Sequence, residues 1–294
     1  MSPMQFTSSR DGVKLFRRSW LVDQPLGTVV LVHGIAEHTG RYQHVAAQLN
    51  RWGWSVESYD QRGHGQSEGQ RGGLTQQDDL VRDLGVVVHD IRRQVSGPLV
   101  LLGHSMGGLV VGRYAAFLTA LSTSPSLSAV DGVVMVSPAL DVPTTLFQRC
   151  LMATVGRLFP DITVSTGFDP VAICNDPAVV AAYRADPLVH DRISSRLGRF
   201  FVDAGPATLA CAPRWTIPTL VLYAGADAIV NPRGSAQFVE QAPRALVRGQ
   251  VFPTLAHEIL NAPEQADVFA ALKPWLAEQH HTWQQAQPGH LAAA

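Results

Sequence analysis

Hydrophobic positions along the chain alternate between two spacings. Short, mostly apolar segments predict strands, and a continuous β-branched segment such as residues 28–32 is typical of a strand buried on both faces of a parallel sheet. Longer segments with apolar residues three or four positions apart predict helices. The predicted strands are residues 6–7, 14–20, 28–32, 55–59, 98–102, 132–136, 218–223 and 245–252, and the predicted helices are residues 41–52, 74–95, 109–121, 232–242 and 263–278.

Turn and cap residues mark several of these boundaries. Asp11-Gly12 is a favourable hairpin turn between the first two strands. Gly53 suits the position directly after a helix, and Thr75 with Asp78 three residues later is close to a capping box. The alternation of strands and helices predicts an α/β fold with a mostly parallel central sheet flanked by helices.

The alternation stops between residues 139 and 214. This stretch has scattered prolines and short amphipathic pieces at residues 146–159, 177–184 and 193–204. We therefore expect a core of residues 1–138 and 215–279, interrupted by an inserted helical cap of residues 139–214. Residues 280–294 are polar and then alanine-rich, and we expect them to form a flexible tail.

A serine stands at the sharpest turn of this pattern. The predicted strand 98–102 is followed by Gly103-His-Ser-Met-Gly107 and then by a predicted helix. G-x-S-x-G between a strand and a helix is a nucleophile elbow, in which the small residues let strand and helix pass closely. We therefore take Ser105 as a candidate nucleophile at the end of a helix that favours developing negative charge.

A nucleophilic serine needs a base and a carboxylate that orients the base. In this type of fold the chain order is serine, acid, histidine, on loops at the carboxyl ends of strands. Asp227 follows the strand 218–223 and His257 follows the strand 245–252, so we assign them as the acid and the base. His33, His64 and His104 fit the order less well or adjoin the serine, and we expect structural roles for them.

The oxyanion of the reaction needs two backbone N–H donors. One is expected from the residue after the nucleophile, Met106, and the other from the loop after the strand 28–32, where Ile35 is the candidate. No histidine pair has metal-ligand spacing such as H-E-x-x-H. The predicted chemistry therefore requires no metal and no organic cofactor.

Length, charge and cysteine content narrow the classes of protein to which this chain could belong. The length of 294 residues suits one large α/β domain or two small ones and is ample for a sizeable core. A net charge of −1 argues against a general nucleic-acid binder, which would show a basic face. No window approaches ~18 uninterrupted apolar residues, and residues 1–11 lack an apolar core, so we expect neither a membrane span nor a secretory signal. Cys150, Cys174 and Cys211 lack C-x-x-C spacing and predict free thiols in a reducing compartment, with the cytoplasm as the default.

Five motifs together resemble the monoacylglycerol lipase and lysophospholipase branch of the α/β-hydrolases. They are residues 33–42 (HGIAEHTGRY), 60–67 (DQRGHGQS), 103–108 (GHSMGG), 225–227 (GAD) and 257–258 (HE). The resemblance extends from about residue 6 to residue 278. It implies an α/β-hydrolase fold with a mobile cap and a serine carboxylesterase that acts on single-chain glycerolipids.

The resemblance also implies residues near the polar head of the substrate. They are Glu37, Arg41 and, within the cap segment YRADPL, Tyr183. Glu37 and Arg41 could instead form an ion pair that holds the oxyanion loop, and Tyr183 could pack the cap. In residues 146–159 an apolar helical face could pack on the core, line an acyl pocket or make transient contact with a membrane surface.

The scaffold hosts other chemistries. A lysophospholipase, a short-chain esterase, a thioesterase, an aminopeptidase and a non-catalytic ligand binder stay open as alternatives. Serine at position 105 disfavours an epoxide hydrolase or a dehalogenase, because both would use aspartate at the elbow. The oligomeric state is left open by the sequence.

Overall fold

The computed structural model describes residues 5–120, 129–143, 159–167 and 169–286. Most strands and helices lie within a few residues of their predicted positions. The strands are β1 (Gln5–Ser8), β2 (Lys14–Trp20), β3 (Gly27–Val32), β4 (Trp54–Tyr59), β5 (Leu99–His104), β6 (Gly132–Val136), β7 (Thr163–Ser165), β8 (Arg192–Ser194), β9 (Thr219–Ala224) and β10 (Val247–Phe252).

Seven α-helices of the described residues lie between or after these strands along the chain. They are α1 (Gln43–Arg51), α2 (Asp79–Arg92), α3 (Met106–Ala120), α4 (Pro177–Ala185), α5 (Ser195–Cys211), α6 (Pro232–Gln241) and α7 (Gln265–Ala286). Asp176 and Asn231 accept backbone N–H bonds at the starts of α4 and α6, and each is followed by proline, which suits the first helical position.

One central sheet has the strand order β1-β2-β4-β3-β5-β6-β9-β10. β1 pairs antiparallel with β2, and β2 pairs antiparallel with β4. Every other pair in this sheet is parallel, so the carboxyl ends of β3, β5, β6, β9 and β10 lie along the same edge. Loops at that edge, on either side of the point where strand order reverses, are where α/β proteins place their sites.

Helices cover both faces of the sheet. In β3, Val30 and Val32 pack in one cluster with α2 and α3, whereas Val29 and Leu31 pack in a second cluster with α1 and α7. All four side chains are fully buried. Because successive residues of a strand point to opposite faces, only an uninterrupted apolar segment can serve both clusters.

The start of α2 differs from the sequence prediction. The helix begins at Asp79 rather than at residue 74, and the expected capping box of Thr75 and Asp78 is wrong. Instead the Asp79 carboxylate accepts hydrogen bonds from the Thr75 and Gln76 backbone N–H groups, and it also pairs with Arg62. A buried tertiary partner thus decides which carboxylate orders the turn.

The last helix is longer than predicted. α7 continues from Gln265 to Ala286, so residues 280–286 are helical rather than part of a flexible tail. The His280 ring donates from Nδ1 to the carbonyl of Leu26 at 2.7 Å, which ties this part of the helix to the core. Residues 287–294 lie outside the described residues.

Between β6 and β9 the chain leaves the central sheet. We call residues 139–214 the inserted segment; its described part contains α4, α5 and the two-stranded antiparallel sheet β7–β8. The expected helical insertion therefore includes a small sheet that the sequence analysis did not predict. The predicted amphipathic face lies, except for Phe159, outside the described residues. No helix in the described ranges combines the length and hydropathy that a membrane span requires.

Candidate active site

Ser105 lies at the junction of β5 and α3 with a backbone φ of 53°. This left-handed conformation is uncommon for a residue with a Cβ and costs on the order of 1–3 kcal/mol. The surrounding backbone holds it: the Ser105 N–H donates to the Val136 carbonyl at 2.9 Å, and the Ser105 carbonyl accepts from Ala139 N–H at 3.1 Å. The predicted elbow thus has the expected strained geometry.

The two elbow glycines are required by close backbone contacts. A Cβ on Gly103 would lie 2.2 Å from the carbonyl oxygen of Gly107, and a Cβ on Gly107 would lie 2.1 Å from the carbonyl oxygen of Val32. Both distances are far inside van der Waals contact. The strand-to-helix turn can therefore form only with glycine at these positions.

Asp227 and His257 come together as the sequence predicts. Asp227 follows β9 and His257 follows β10, and His257 Nδ1 lies 2.7 Å from Asp227 Oδ2. The other Asp227 oxygen, Oδ1, accepts the backbone N–H groups of Ile229 and Val230 at 2.9 and 3.0 Å. The Asp227 side chain is 1% exposed, so its carboxylate is fixed in a buried position.

Ser105 and His257 line one small cavity at the carboxyl edge of the sheet. Its volume is about 20 Å³, which is room for little more than one water molecule. Among the described residues, His257 forms a side-chain hydrogen bond with Asp227 but none with Ser105 Oγ. Hydrogen bonds between a nucleophile and its base are often long without substrate and tighten in the reacting complex.

The two candidate oxyanion donors flank the serine. Met106 is the first residue of α3, so its N–H has no acceptor one turn earlier within the helix. Ile35 lines the same cavity as Ser105. The Ile35 loop packs directly on the elbow, because a Cβ on Gly34 would lie 3.2 Å from the Ser105 Cβ.

Glu37 stabilises the loop that carries Ile35. Its Oε1 accepts from the Gly34 N–H at 2.5 Å and from the Tyr42 hydroxyl at 2.6 Å, and it lies 3.2 Å from His104 Nδ1. The Tyr42 oxygen, which donates its own proton to Glu37, also lies 3.0 Å from His104 Nδ1. His104 Nδ1 therefore carries a proton that it donates to this pair.

Charge pairing sets the protonation of this network. Burial alone would raise the pKa of Glu37, but His104 and Arg41 outweigh it and hold that pKa well below its usual range. Burial disfavours charge on His104, yet its hydrogen bond to Glu37 raises the His104 pKa above the ordinary value. Glu37 is thus a carboxylate, and its charge favours the imidazolium form of His104.

Arg41 forms an ion pair with Glu37, which is one of the two roles that the sequence left open for it. Its Nη1 lies 2.8 Å from Glu37 Oε2, and both of its terminal nitrogens bind the carboxylate of Glu258. The guanidinium also lies over the Tyr183 ring, with Cζ 4.8 Å from the ring centroid. Glu37 and Tyr183 line the cavity beside Ser105, whereas Arg41 is enclosed between its partners.

Sequence reasoning missed two members of this network. Tyr42 and Glu258 are fully or almost fully buried and pair with Glu37 and Arg41. Both residues stand within the motifs that carried the family resemblance, so their position was visible although their partners were not. Arg41 and Glu258 are 217 positions apart, a pairing that local sequence cannot indicate.

His33 and His64, the other two histidines for which the sequence predicts structural roles, bind backbone groups. His33 Nδ1 donates to the Gly34 carbonyl, and His33 Nε2 accepts the Gln61 N–H at 2.8 Å. His64 donates from Nδ1 to the Arg62 carbonyl at 2.9 Å. In the described part of the chain no group of three or more His, Cys, Asp or Glu residues has the geometry to hold a metal ion. Cys174 and Cys211 are free thiols there, and Cys150 lies outside the described residues.

Known proteins with similar sequences are hydrolases. Residues 23–264 match the Hydrolase_4 family, described as serine aminopeptidase, S33. A monoacylglycerol lipase of Mycolicibacterium smegmatis is 35% identical over 276 residues, an alignment that covers 90% of this chain and 93% of that protein. A monoglyceride lipase of Homo sapiens is 28% identical over 289 residues, covering 95% of this chain and 91% of that protein.

Solved structures agree with the sequence relatives. The crystal structure of a Paleococcus ferrophilus monoacylglycerol lipase has a TM-score of 0.80 at 35% identity and covers 90% of this chain and 99% of that one. A soluble variant of the Saccharomyces cerevisiae monoglyceride lipase, solved with a substrate analog, has a TM-score of 0.81 at 23% identity, which bears on the fold alone. The expected α/β-hydrolase fold is confirmed.

Proposed function

The chain belongs to the Hydrolase_4 (serine aminopeptidase, S33) family of hydrolases, and we propose that it is a serine esterase that hydrolyses monoacylglycerols. One observation carries the proposed mechanism: the Ser105 elbow opens onto the same cavity as the His257–Asp227 pair. The monoacylglycerol lipases among its relatives support the substrate class.

In the proposed reaction Ser105 Oγ attacks the ester carbonyl carbon while His257 Nε2 takes the hydroxyl proton. Asp227 keeps the His257 proton on Nδ1, so that Nε2 is free to act as the base. The Ile35 and Met106 N–H groups bind the oxyanion. The intermediate then breaks its ester C–O bond, and glycerol leaves with the proton from His257. Water attacks the acyl-serine by the same steps and releases the fatty acid.

The charges around the cavity favour a neutral head group over a phosphate. Glu37 and Glu258 are the carboxylates that line it, and the arginine beside them, Arg41, is already bound to both. The His104 ring, which also lines the cavity, is bound to Glu37. A phosphate would therefore meet negative charge, because no arginine or lysine is among the described residues that line the cavity. This argues for monoacylglycerol and against a lysophospholipid.

The same pairing argues against an aminopeptidase, the activity that the family description prints. Recognition of a free α-amine requires a carboxylate that is available to the incoming ammonium group. Glu37 already accepts from Gly34, Tyr42 and Arg41, and Glu258 accepts from Arg41 and Asn261. An ammonium group would therefore have to share these carboxylates with the buried partners that they already bind.

We propose that the inserted segment acts as a cap that moves to admit the lipid. Its residues Ile173 and Tyr183 lie over the cavity, whose volume is far below that of an acyl chain. The described part of this segment exposes four large apolar side chains, those of Phe159, Ile162, Val164 and Val171. They support transient contact of the cap with a membrane surface, where a single-chain lipid would be extracted.

The test is fatty-acid release from a medium-chain 1-monoacylglycerol by wild type and by Ser105→Ala. We expect turnover by wild type and a loss of at least about 10⁴-fold in the variant. Equal turnover by both proteins would exclude Ser105 as the nucleophile. A wild type that reacts with a fluorophosphonate but releases no fatty acid would contradict the substrate class while keeping the nucleophile.

Two further substrates separate the alternatives under the same conditions. Lysophosphatidylcholine with the same acyl chain tests the charge argument, and an amino-acid p-nitroanilide tests the aminopeptidase. We expect monoacylglycerol to have the highest kcat/KM of the three. A higher value for lysophosphatidylcholine would mean that the head group binds away from Glu37 and Glu258.

A further inference from the structure

Arg41 joins three parts of the molecule that meet at the catalytic edge. It binds Glu37 in the loop that carries Ile35, it binds Glu258 directly after His257, and it lies against Tyr183 of α4 in the inserted segment. Its side chain is 10% exposed. The donors of this one guanidinium thus link the loop that carries Ile35 (the oxyanion loop) to the loop that carries His257 (the histidine loop), and its face contacts the inserted segment at Tyr183.

Glu258 is the part of this arrangement that lies nearest the base. Its Oε1 and Oε2 accept two parallel hydrogen bonds from Arg41 at 2.6 and 2.9 Å, and Oε2 also accepts from Asn261 at 2.8 Å. Its backbone N–H donates to the Ile173 carbonyl of the inserted segment at 2.7 Å. The residue that directly follows His257 is therefore held in place through both its side chain and its backbone.

The geometry of this pair restricts motion more than an ordinary ion pair does. A bidentate arginine–carboxylate pair fixes distance and orientation together, because two parallel bonds resist rotation. The Glu258 side chain is 4% exposed, so water cannot replace either bond without opening the site. Burial lowers the pKa of Arg41, but Glu258 and Glu37 outweigh it and raise that pKa above its usual value, which keeps the guanidinium charged.

We propose that Glu258 is a positioning residue for His257. Through Arg41 it sets the distance between the histidine loop and the oxyanion loop, and through the Ile173 carbonyl it links that distance to the inserted segment. In this role Glu258 acts through the position of His257, not through a contact with the reacting atoms. The inference rests on the proposed function only in that His257 must be the base of an ester hydrolase.

A positioning role has a distinct kinetic signature. Misplacement of a catalytic group by about 1 Å can cost on the order of 100-fold in rate. Glu258→Gln keeps the size of the side chain but removes the charge and one of the two parallel acceptors. We therefore expect kcat to fall by roughly 10- to 100-fold, with KM changed less than about twofold, for both a monoacylglycerol and p-nitrophenyl butyrate.

The chain offers a matched control. Arg248 and Glu278 form the same bidentate pair at 2.5 and 2.7 Å on the surface, with side chains 57% and 46% exposed. Glu278→Gln makes the same chemical change far from the catalytic edge. We expect its kcat and KM to equal those of wild type, because exposed pairs contribute little.

Active-site titration with a fluorophosphonate counts the competent enzyme, so kcat is expressed per reactive serine. If Glu258→Gln does not fold, Arg41→Lys serves instead, since lysine keeps the charge but cannot make two parallel bonds. A kcat per reactive serine equal to wild type would overturn the proposal, and a loss confined to KM for monoacylglycerol would indicate head-group binding instead. A wild type that turns over neither ester would refute the proposed function itself.

Discussion

Replacing Asp227 by asparagine separates the two tasks of this carboxylate. Oδ1 accepts two backbone N–H groups, from Ile229 and Val230, while Oδ2 faces His257 Nδ1 at 2.7 Å. In Asp227→Asn the amide oxygen takes the Oδ1 position, because only an acceptor satisfies two donors. The amide NH₂ then faces His257, which must present an unprotonated Nδ1 and carry its proton on Nε2.

The expected magnitude follows from that change of tautomer. With the proton on Nε2 the ring cannot take the Ser105 proton, and in serine proteases the equivalent substitution lowers kcat by about 10⁴-fold. This equals about 5.5 kcal/mol of transition-state stabilisation. Both backbone bonds to the Oδ1 position survive, so we expect the melting temperature to stay within about 2 °C of wild type.

Asp227→Ala is the matched comparison. It removes the partner of His257 and also leaves the Ile229 and Val230 N–H groups without their acceptor. Two lost hydrogen bonds cost about 1–3 kcal/mol, or roughly 2–5 °C in the melting temperature of a chain of 294 residues. We therefore expect both variants to lose activity but only the alanine variant to lose stability.

The assay combines p-nitrophenyl butyrate turnover per fluorophosphonate-reactive serine with a thermal melt of each variant. An Asp227→Asn variant that retains more than about a tenth of the wild-type kcat would refute this role of Asp227. In that case the His257 tautomer would not depend on Asp227. A melting temperature for Asp227→Asn as low as that of Asp227→Ala would show instead that Oδ1 does not keep its two bonds.

Two further predictions concern stability. The Arg62 side chain is 4% exposed and binds three aspartates, two of them buried, so we expect Arg62→Met to lower the free energy of unfolding in urea by about 3–5 kcal/mol. The control Arg82→Met breaks an exposed ion pair and should cost less than about 0.5 kcal/mol. Equal costs for the two variants would contradict the argument that burial makes the Arg62 pairs matter. Burial, with the nearby Arg71 charge, lowers the pKa of His190 from 6.5 to about 4, so the folded state binds fewer protons than the unfolded state and stability falls as the pH drops through that range. His190→Gln should lose less stability than wild type between about pH 7 and about pH 4.5, and an equal loss would refute this assignment.

The sequence determined the features that depend on neighbouring residues. The apolar segment at β3 predicted a strand buried on both faces, and G-x-S-x-G between a strand and a helix predicted the strained turn at Ser105. The order of Ser105, Asp227 and His257 after their strands predicted which side chains would meet. These inferences succeed because hydrophobic period, turn chemistry and chain order act over short distances or through the rule that sites lie at the carboxyl ends of parallel strands.

Only the tertiary structure decided how the charged residues are paired. The sequence left Arg41 between two roles and gave Glu258 none, whereas the fold brings them together across 217 positions and places Tyr183 against them. The start of α2 likewise moved to Asp79, because that carboxylate is bound by Arg62. A buried charge takes the partner that the packing of distant loops supplies, and no local pattern of residues records which loops will meet.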